Sequence, residues 1–179
     1  MNPETLIHKY YADQPELEQI LLTHSRQVAD LCMQICDAHP ELGLDRQFLY
    51  EAAMLHDIGI LRTDAPGIQC FGTEHYIRHG LIGGAILRAE GLPRHARVAE
   101  RHTGTGLTPE AIQRQNLPLP LQDYSPETLE EQVVCYADKF FSKTKLQQKK
   151  SYERVLQGLD WFGEEGVRRF RHWHEMFSV

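Results

Sequence analysis

Six residues of this chain, His24, His56, Asp57, His79, His102 and Asp138, have side chains suited to a borderline or hard metal cation, and they are spread over five stretches with helical periodicity. Two are adjacent, inside Leu55-His56-Asp57-Ile58-Gly59. A vicinal His-Asp presents an imidazole nitrogen and a carboxylate at one point of the backbone, and the carboxylate has two oxygens with which to bridge two cations. Most of the other four fall where the apolar pattern turns inward. Burying several titratable groups without partners is costly, and a shared metal site accounts for them together. Mixed imidazole and carboxylate donors suit Mn, Fe, Co, Ni or Zn better than an all-oxygen Mg site. No thiolate is among them, which argues against a closed structural zinc site.

The elements that must position these residues read as helices. Leu17, Ile20, Leu21, Val28, Leu31 and Ile35 recur at helical spacing, and His24 lies in that stripe. A second helix is expected from Asp45, as N-cap, through Phe48, Leu49, Ala52 and Ala53 to the His-Asp pair. His56 follows Ala52 by four and Leu49 by seven, so it points inward; Gly59 is read as the helix stop. The Gly, Pro and Asp-bearing stretch from Arg62 to Gly72 is a candidate flap. A third helix is expected over Glu74 to Glu90, ending at Gly91 with Pro93 beyond, and sets His79 on a face with Ile82, Gly83 and Ile86. The fourth runs from Pro93 to about His102 and carries His95, Val98, Ala99 and His102. Thr108-Pro109-Glu110 caps a short helix. Ser125-Pro126-Glu127 opens the fifth long one, with Asp138 four residues after Val134. Tyr152 to Phe177 reads as amphipathic helix. Strand-like alternation and repeats are absent. The expected fold class is all-α: a bundle of about five core helices plus C-terminal helices, one domain over residues 1–179, with its core at about 17–145 and a helical extension at about 151–177.

Composition narrows the partners. With 179 residues, 41% of them hydrophobic, the chain has enough core to fold alone, and its net charge of -6 argues against a nucleic-acid surface built on bulk positive charge. Cys32, Cys36, Cys70 and Cys135 form no CxxC pair and read as free thiols. No stretch has the length and apolarity of a signal peptide or a membrane span, so a soluble cytoplasmic protein is expected. Among the C-terminal aromatics Trp161, Phe162, Phe170 and Trp173, core packing is favoured over a homodimer surface.

The ordered set His24, His56-Asp57, Asp138 resembles the ligand order of the HD-domain superfamily of metal-dependent phosphohydrolases, and Leu55-His56-Asp57-Ile58-Gly59 is similar to its HDIG subgroup. His79 with Gly83 and Ala85 after it, and His102-Thr103-Gly104, resemble the additional histidines of the two-metal members. The run Glu100-Arg101-His102-Thr103-Gly104, with Glu130-Glu131-Gln132-Val133 and Ala137-Asp138-Lys139, looks closer still to small HDIG-domain proteins of undefined substrate. The resemblance covers about residues 17 to 145. It departs from many HD proteins after the dyad, where Ile60 and Leu61 stand in place of a lysine. The Gly-Tyr-Pro signature of cyclic-dinucleotide phosphodiesterases is replaced by Gly104-Thr105-Gly106-Leu107.

These residues and the resemblance together imply a hydrolase. His24, His56, Asp57 and Asp138 would hold one cation, and Asp57 would bridge to a second at His79 and His102; such pairs activate a water and clamp phosphoryl oxygens. Asp57, His79 and His102 are the expected catalytic centre, and Arg101, Lys139 and His75 the expected substrate contacts. The expected substrate is a nucleotide or another small phosphate ester. The alternatives are a two-iron oxygenase of the same superfamily and a non-catalytic, metal-stabilised nucleotide-binding sensor.

Overall fold

The computed structural model describes residues 1–179, apart from the side chain of Phe162. Nine α-helices follow one another among the described residues: α1 Pro3–Tyr11, α2 Pro15–Ala38, α3 Arg46–Leu55, α4 His79–Ala89, α5 Pro93–Arg101, α6 Pro109–Arg114, α7 Leu129–Asp138, α8 Tyr152–Leu159 and α9 Glu164–Phe177. The all-α class stands. One small departure is an antiparallel pair, β1 Asp64–Ala65 with β2 Cys70–Phe71, within the stretch read as a flap. Strands of two residues are too short to print an alternation in the sequence.

Helix ends follow local chemistry. Asp45 caps α3 as expected, its carboxylate accepting from Phe48 N–H at 3.1 Å. Thr108 caps α6 by accepting from Ala111 N–H at 3.2 Å. α7 begins three residues beyond the expected Ser125-Pro126 start, because Thr128 and Glu131 form a capping box in which each side chain accepts from the other's backbone N–H. α4 begins at His79 rather than Glu74. The residues before it, Tyr76–Arg78, form a 3₁₀ turn, and His75 caps that turn through Nδ1, which accepts from Ile77 N–H at 3.2 Å. The C-terminal stretch is two helices because Gly163 sits at φ 90°, a conformation that breaks a helix and suits glycine.

α2 packs on α3 and α7, α5 packs on α3 and α7, and α4 lies against α5 and the 3₁₀ turn Ile58–Arg62. One continuous apolar core runs from Leu6 in α1 to Phe177 in α9. Phe170 and Trp173 are buried in it, with Phe170 stacked on Tyr136 at 5.1 Å. Trp161 instead is 60% exposed, which corrects its expected place in the core; Phe162 lies outside the described side chains. The four cysteines are free, and three of them are buried. No described helix is long and apolar enough to cross a membrane.

Gly59 has a different role from the expected helix stop. Its φ is not positive, and the chain continues into the 3₁₀ turn. A Cβ at this position would lie 2.9 Å from Gly83 Cα and closer still to His79 O and Gly83 N. The missing side chain lets the turn after the dyad touch the backbone of α4, which brings Asp57 and His79 to one point. From the other side, the buried Tyr11 hydroxyl donates to Ile58 O at 2.8 Å and accepts from Leu61 N–H at 3.3 Å.

Candidate metal centre

All six expected ligands are buried and converge in two groups that share Asp57. His24, His56, Asp57 and Asp138 make the first; Asp57, His79 and His102 make the second, and each group's donor atoms lie within 4.8 Å of one another. Asp57 divides its oxygens between them. Its Oδ2 is 3.2 Å from His24 Nε2 and 3.1 Å from His56 Nε2. Its Oδ1 is 3.4 Å from His79 Nε2 and 3.3 Å from His102 Nε2. Asp138 Oδ1 completes the first group, 3.0 Å from His24 Nε2 and 3.4 Å from His56 Nε2.

One local device sets three of the histidines. His56, His79 and His102 each stand at a helix boundary, and in each the Nδ1 lies against the carbonyl three residues earlier: Ala53 O at 2.6 Å, Tyr76 O at 2.7 Å and Ala99 O at 2.8 Å. A carbonyl can only accept, so each Nδ1 carries a proton and each ring turns its Nε2 into the centre, as a bare lone pair in His79 and His102. His79 Nε2 and His102 Nε2 then face each other at 2.9 Å. Two lone pairs at that distance repel, and a cation between them removes the repulsion. His24, His56 Nε2 and both oxygens of Asp57 are buried without a hydrogen bond, the expected state of donors arranged for an ion rather than for one another. The residues fit a metal.

Charge balance points the same way. Burial opposes ionisation of Asp57 and Asp138, yet neighbouring cations, Lys143 and His56 for the first and Lys139 for the second, hold both carboxyls well below the usual range. Burial and the adjoining His102 push His79 down to about 3, so it is neutral and free to ligate. Burial likewise lowers His102. His56 goes the other way: burial disfavours its charge, but the Asp57 and Asp138 carboxylates outweigh that and raise it to about 9.

A cavity of about 520 Å³ opens from this centre, with His79, His102 and Asp138 in its wall. Ala65, Gly67 and Ile68, from the stretch read as a flap, form one side. Lys139, an expected substrate contact, is in the wall; its Nζ donates to Asp138 Oδ2 at 2.7 Å and to His102 O at 3.0 Å. The other two expected contacts are elsewhere. Arg101 does not line the cavity, because its guanidinium donates to Ser125 O at 2.6 Å and pairs with Glu127 at 3.3 Å, tying down the connector before α7. His75 is exposed and is occupied in capping its turn. His95 serves packing: it meets Glu51 Oε2 at 3.1 Å and the edge of Phe48.

Sequence reasoning missed Lys143. Its Nζ lies 2.5 Å from Asp57 Oδ2. α7 ends at Asp138, so Lys139 and Lys143 lie on the turns that follow and fold back over the centre. Tyr76, stacked on His79 at 4.7 Å, was missed too; a lone aromatic carries no such signal.

The family model described as the HD domain matches residues 21–142. The chain belongs to the HD domain family. HD domains bind divalent metals and fall in a superfamily of metal-dependent hydrolases, and the two residue groups could hold such ions. Two relatives are named tRNA (cytidine(56)-2'-O)-methyltransferase. The Picrophilus torridus protein is 34% identical over 72% of this chain and 33% of its own length; that of Thermoplasma volcanium is 34% identical over 97% and 45%. An uncharacterized protein of Methanocaldococcus jannaschii is 37% identical over 68% of this chain and 70% of its own. The chain spans about a third to just under half of the two methyltransferases it matches. No solved structure matches significantly.

Proposed function

We propose that this HD domain is a phosphohydrolase with a two-metal centre, cleaving a phosphoester or phosphoanhydride of a nucleotide or another small phosphorylated molecule. One observation carries the reading: six donor residues from five segments meet in two groups that share a carboxylate, and the bare Nε2 atoms of His79 and His102 face each other at 2.9 Å. His24, His56, Asp57 and Asp138 would hold one ion and Asp57, His79 and His102 the other; when bound, such ions lower the pKa of a water and polarise phosphoryl oxygens. Mn, Fe, Co, Ni and Zn suit this donor set.

The chain's own groups do the remainder. Carbonyl contacts at Ala53, Tyr76 and Ala99 fix the three imidazole tautomers. Asp57 bridges the two groups and orients both. Lys139 and Lys143, whose ammonium groups touch the two carboxylates, meet the charge of an incoming phosphoryl group at the cavity wall. The partner we assign is a small anion rather than nucleic acid, given the chain's net charge of -6. The activity for which the tRNA methyltransferases are named belongs to proteins more than twice as long as the part this chain matches, and the donor set of this centre supports hydrolysis instead.

The test is phosphate release from a panel of nucleotides, dinucleoside polyphosphates and sugar phosphates, each with Mn, Fe, Co, Ni and Zn, with Asp57→Ala alongside. A preferred substrate whose turnover disappears in the variant is the expected result. Silence across the panel with metal bound refutes the reading, and oxygen uptake by the iron-loaded protein would then identify an oxygenase.

A further inference from the structure

The family-matched segment ends at residue 142, yet the cavity does not. Its wall continues through Thr144, Lys150, Arg154, Val155, Gly158 and Leu159, most of them on or just before α8. Two further cations, Lys150 and Arg154, line it there. Lys150 donates to Lys139 O at 3.3 Å, and Arg154 donates to Gln157 Oε1 at 3.3 Å; neither has a carboxylate partner among the described residues. Lys139 and Lys143, by contrast, are already paired with Asp138 and Asp57. The cavity wall therefore holds two pairs of cations, one neutralised by carboxylates and one uncompensated, while Asp138 is the one carboxylate residue in it among the described residues. Ile68, Phe141, Val155 and Leu159 supply apolar surface along it. At about 520 Å³ the space falls within the usual range for ligands of nucleotide size, roughly 300–1,000 Å³.

We propose that Lys150 and Arg154 form a second anion subsite, so that the substrate is a molecule with two separated anionic groups on either side of an apolar or planar centre, such as a nucleoside phosphorylated at both ends. The inference rests on the phosphohydrolase reading for the role of the inner end. One phosphoryl group lies at His79, His102 and Asp138; the other anionic group takes charge-assisted hydrogen bonds from the lysine and the arginine. Specificity is then set by a part of the chain outside the family match.

Gly158 offers a way to test the α8 side of the cavity without disturbing the fold. A Cβ added there meets no atom within 4 Å, and replacing a helical glycine favours α8. The probes are adenosine 3′,5′-bisphosphate and adenosine 5′-monophosphate. Kd for both is measured calorimetrically on chelator-treated protein, where no metal-dependent turnover proceeds, and kcat/KM on metal-loaded protein. The proteins are wild type, the double variant Lys150→Met/Arg154→Gln, and Gly158→Phe. The preference of wild type for the bisphosphate over the monophosphate is expected to fall at least tenfold in the double variant, in both measurements, because each charged hydrogen bond is commonly worth about tenfold or more. Gly158→Phe is expected to weaken the bisphosphate through lost space, with its melting temperature preserved. A preference unchanged within twofold in the double variant overturns the subsite. If metal-loaded protein hydrolyses neither probe while the binding preference falls as stated, the subsite stands and the hydrolase reading fails. If hydrolysis proceeds with its preference unchanged, the reverse holds.

Discussion

Gly59→Ala isolates the contact that aligns the two halves of the metal centre. The added methyl would sit 2.9 Å from Gly83 Cα and nearer to His79 O and Gly83 N, all of them backbone atoms that cannot rotate away. Carbon contacts relax at about 3.5–4.0 Å, so α4 must withdraw by about 1 Å, carrying His79 with it. Ligand distances in metal sites tolerate about 0.2 Å. A shift of that size therefore removes His79 from the second group while leaving His24, His56 and Asp138 in the first. Overpacking a tight contact costs about 1–3 kcal/mol, and the backbone nature of this clash sets the expectation at the upper end of that range. Gly83→Ala is the companion variant. Its nearest approaches, 3.3 Å to Gly59 N and 3.4 Å to Ala99 Cβ, need only a few tenths of an ångström of movement. Alanine favours a helix over glycine by up to about 1 kcal/mol, so that variant should lie within about 1 kcal/mol of wild type. Urea unfolding gives both stabilities, and calorimetric titration gives the number of metal ions bound. Gly59→Ala should be the less stable by about 2 kcal/mol and should bind fewer ions. Equal stabilities and equal metal content in the two variants would refute the argument that close backbone approach, rather than helix termination, fixes glycine at 59.

Lys143→Met leaves Asp57 buried without its nearest cation, which should cost about 3–5 kcal/mol in chelator-treated protein. Most of that deficit should vanish when metal is added, and a deficit that is the same with and without metal would refute a shared site. Arg101→Met removes donors to Ser125 O and Asp123 O and should lower stability by about 1–3 kcal/mol. KM for the best phosphate ester should stay within twofold, and a KM rise of tenfold or more would return Arg101 to the substrate. Burial holds His95 below its ordinary value despite Glu51 beside it. As pH falls through about 6.5 the unfolded chain takes up a proton that the folded chain resists, so stability declines toward acid. His95→Gln should flatten urea stability between pH 7.5 and 5.5 relative to wild type, and parallel pH profiles would show that His95 does not contribute.

The convergence of the six donor residues was legible in the sequence because helical periodicity fixes facing: His24 lies in the stripe of Leu17, Leu21 and Val28, and His56 follows Leu49 and Ala52 at spacings that a helix buries. The helix starts at Asp45 and Thr108 could be read from their caps. Where a local rule misled, a second device had won. The capping box at Thr128 displaced the start of α7, and the 3₁₀ turn at Tyr76 shortened α4. Arg101 was misassigned because adjacency in sequence to a ligand says nothing of direction. At the end of α5 the His102 ring turns into the centre while the Arg101 guanidinium reaches the connector carbonyls.

What the sequence determined by itself was the inventory: which donors exist, which helices carry them, and that they are buried together. What only the tertiary structure decided was the assignment of the positive charges. Lys139, Lys143, Lys150 and Arg154 recur at four- and seven-residue spacings that would describe one solvated helix face. α7 stops at Asp138, however, and the segment after it folds back over the centre. Whether a lysine faces water or a buried carboxylate depends on where a non-helical segment lies against distant helices. Such a segment has no periodicity from which its facing could be read.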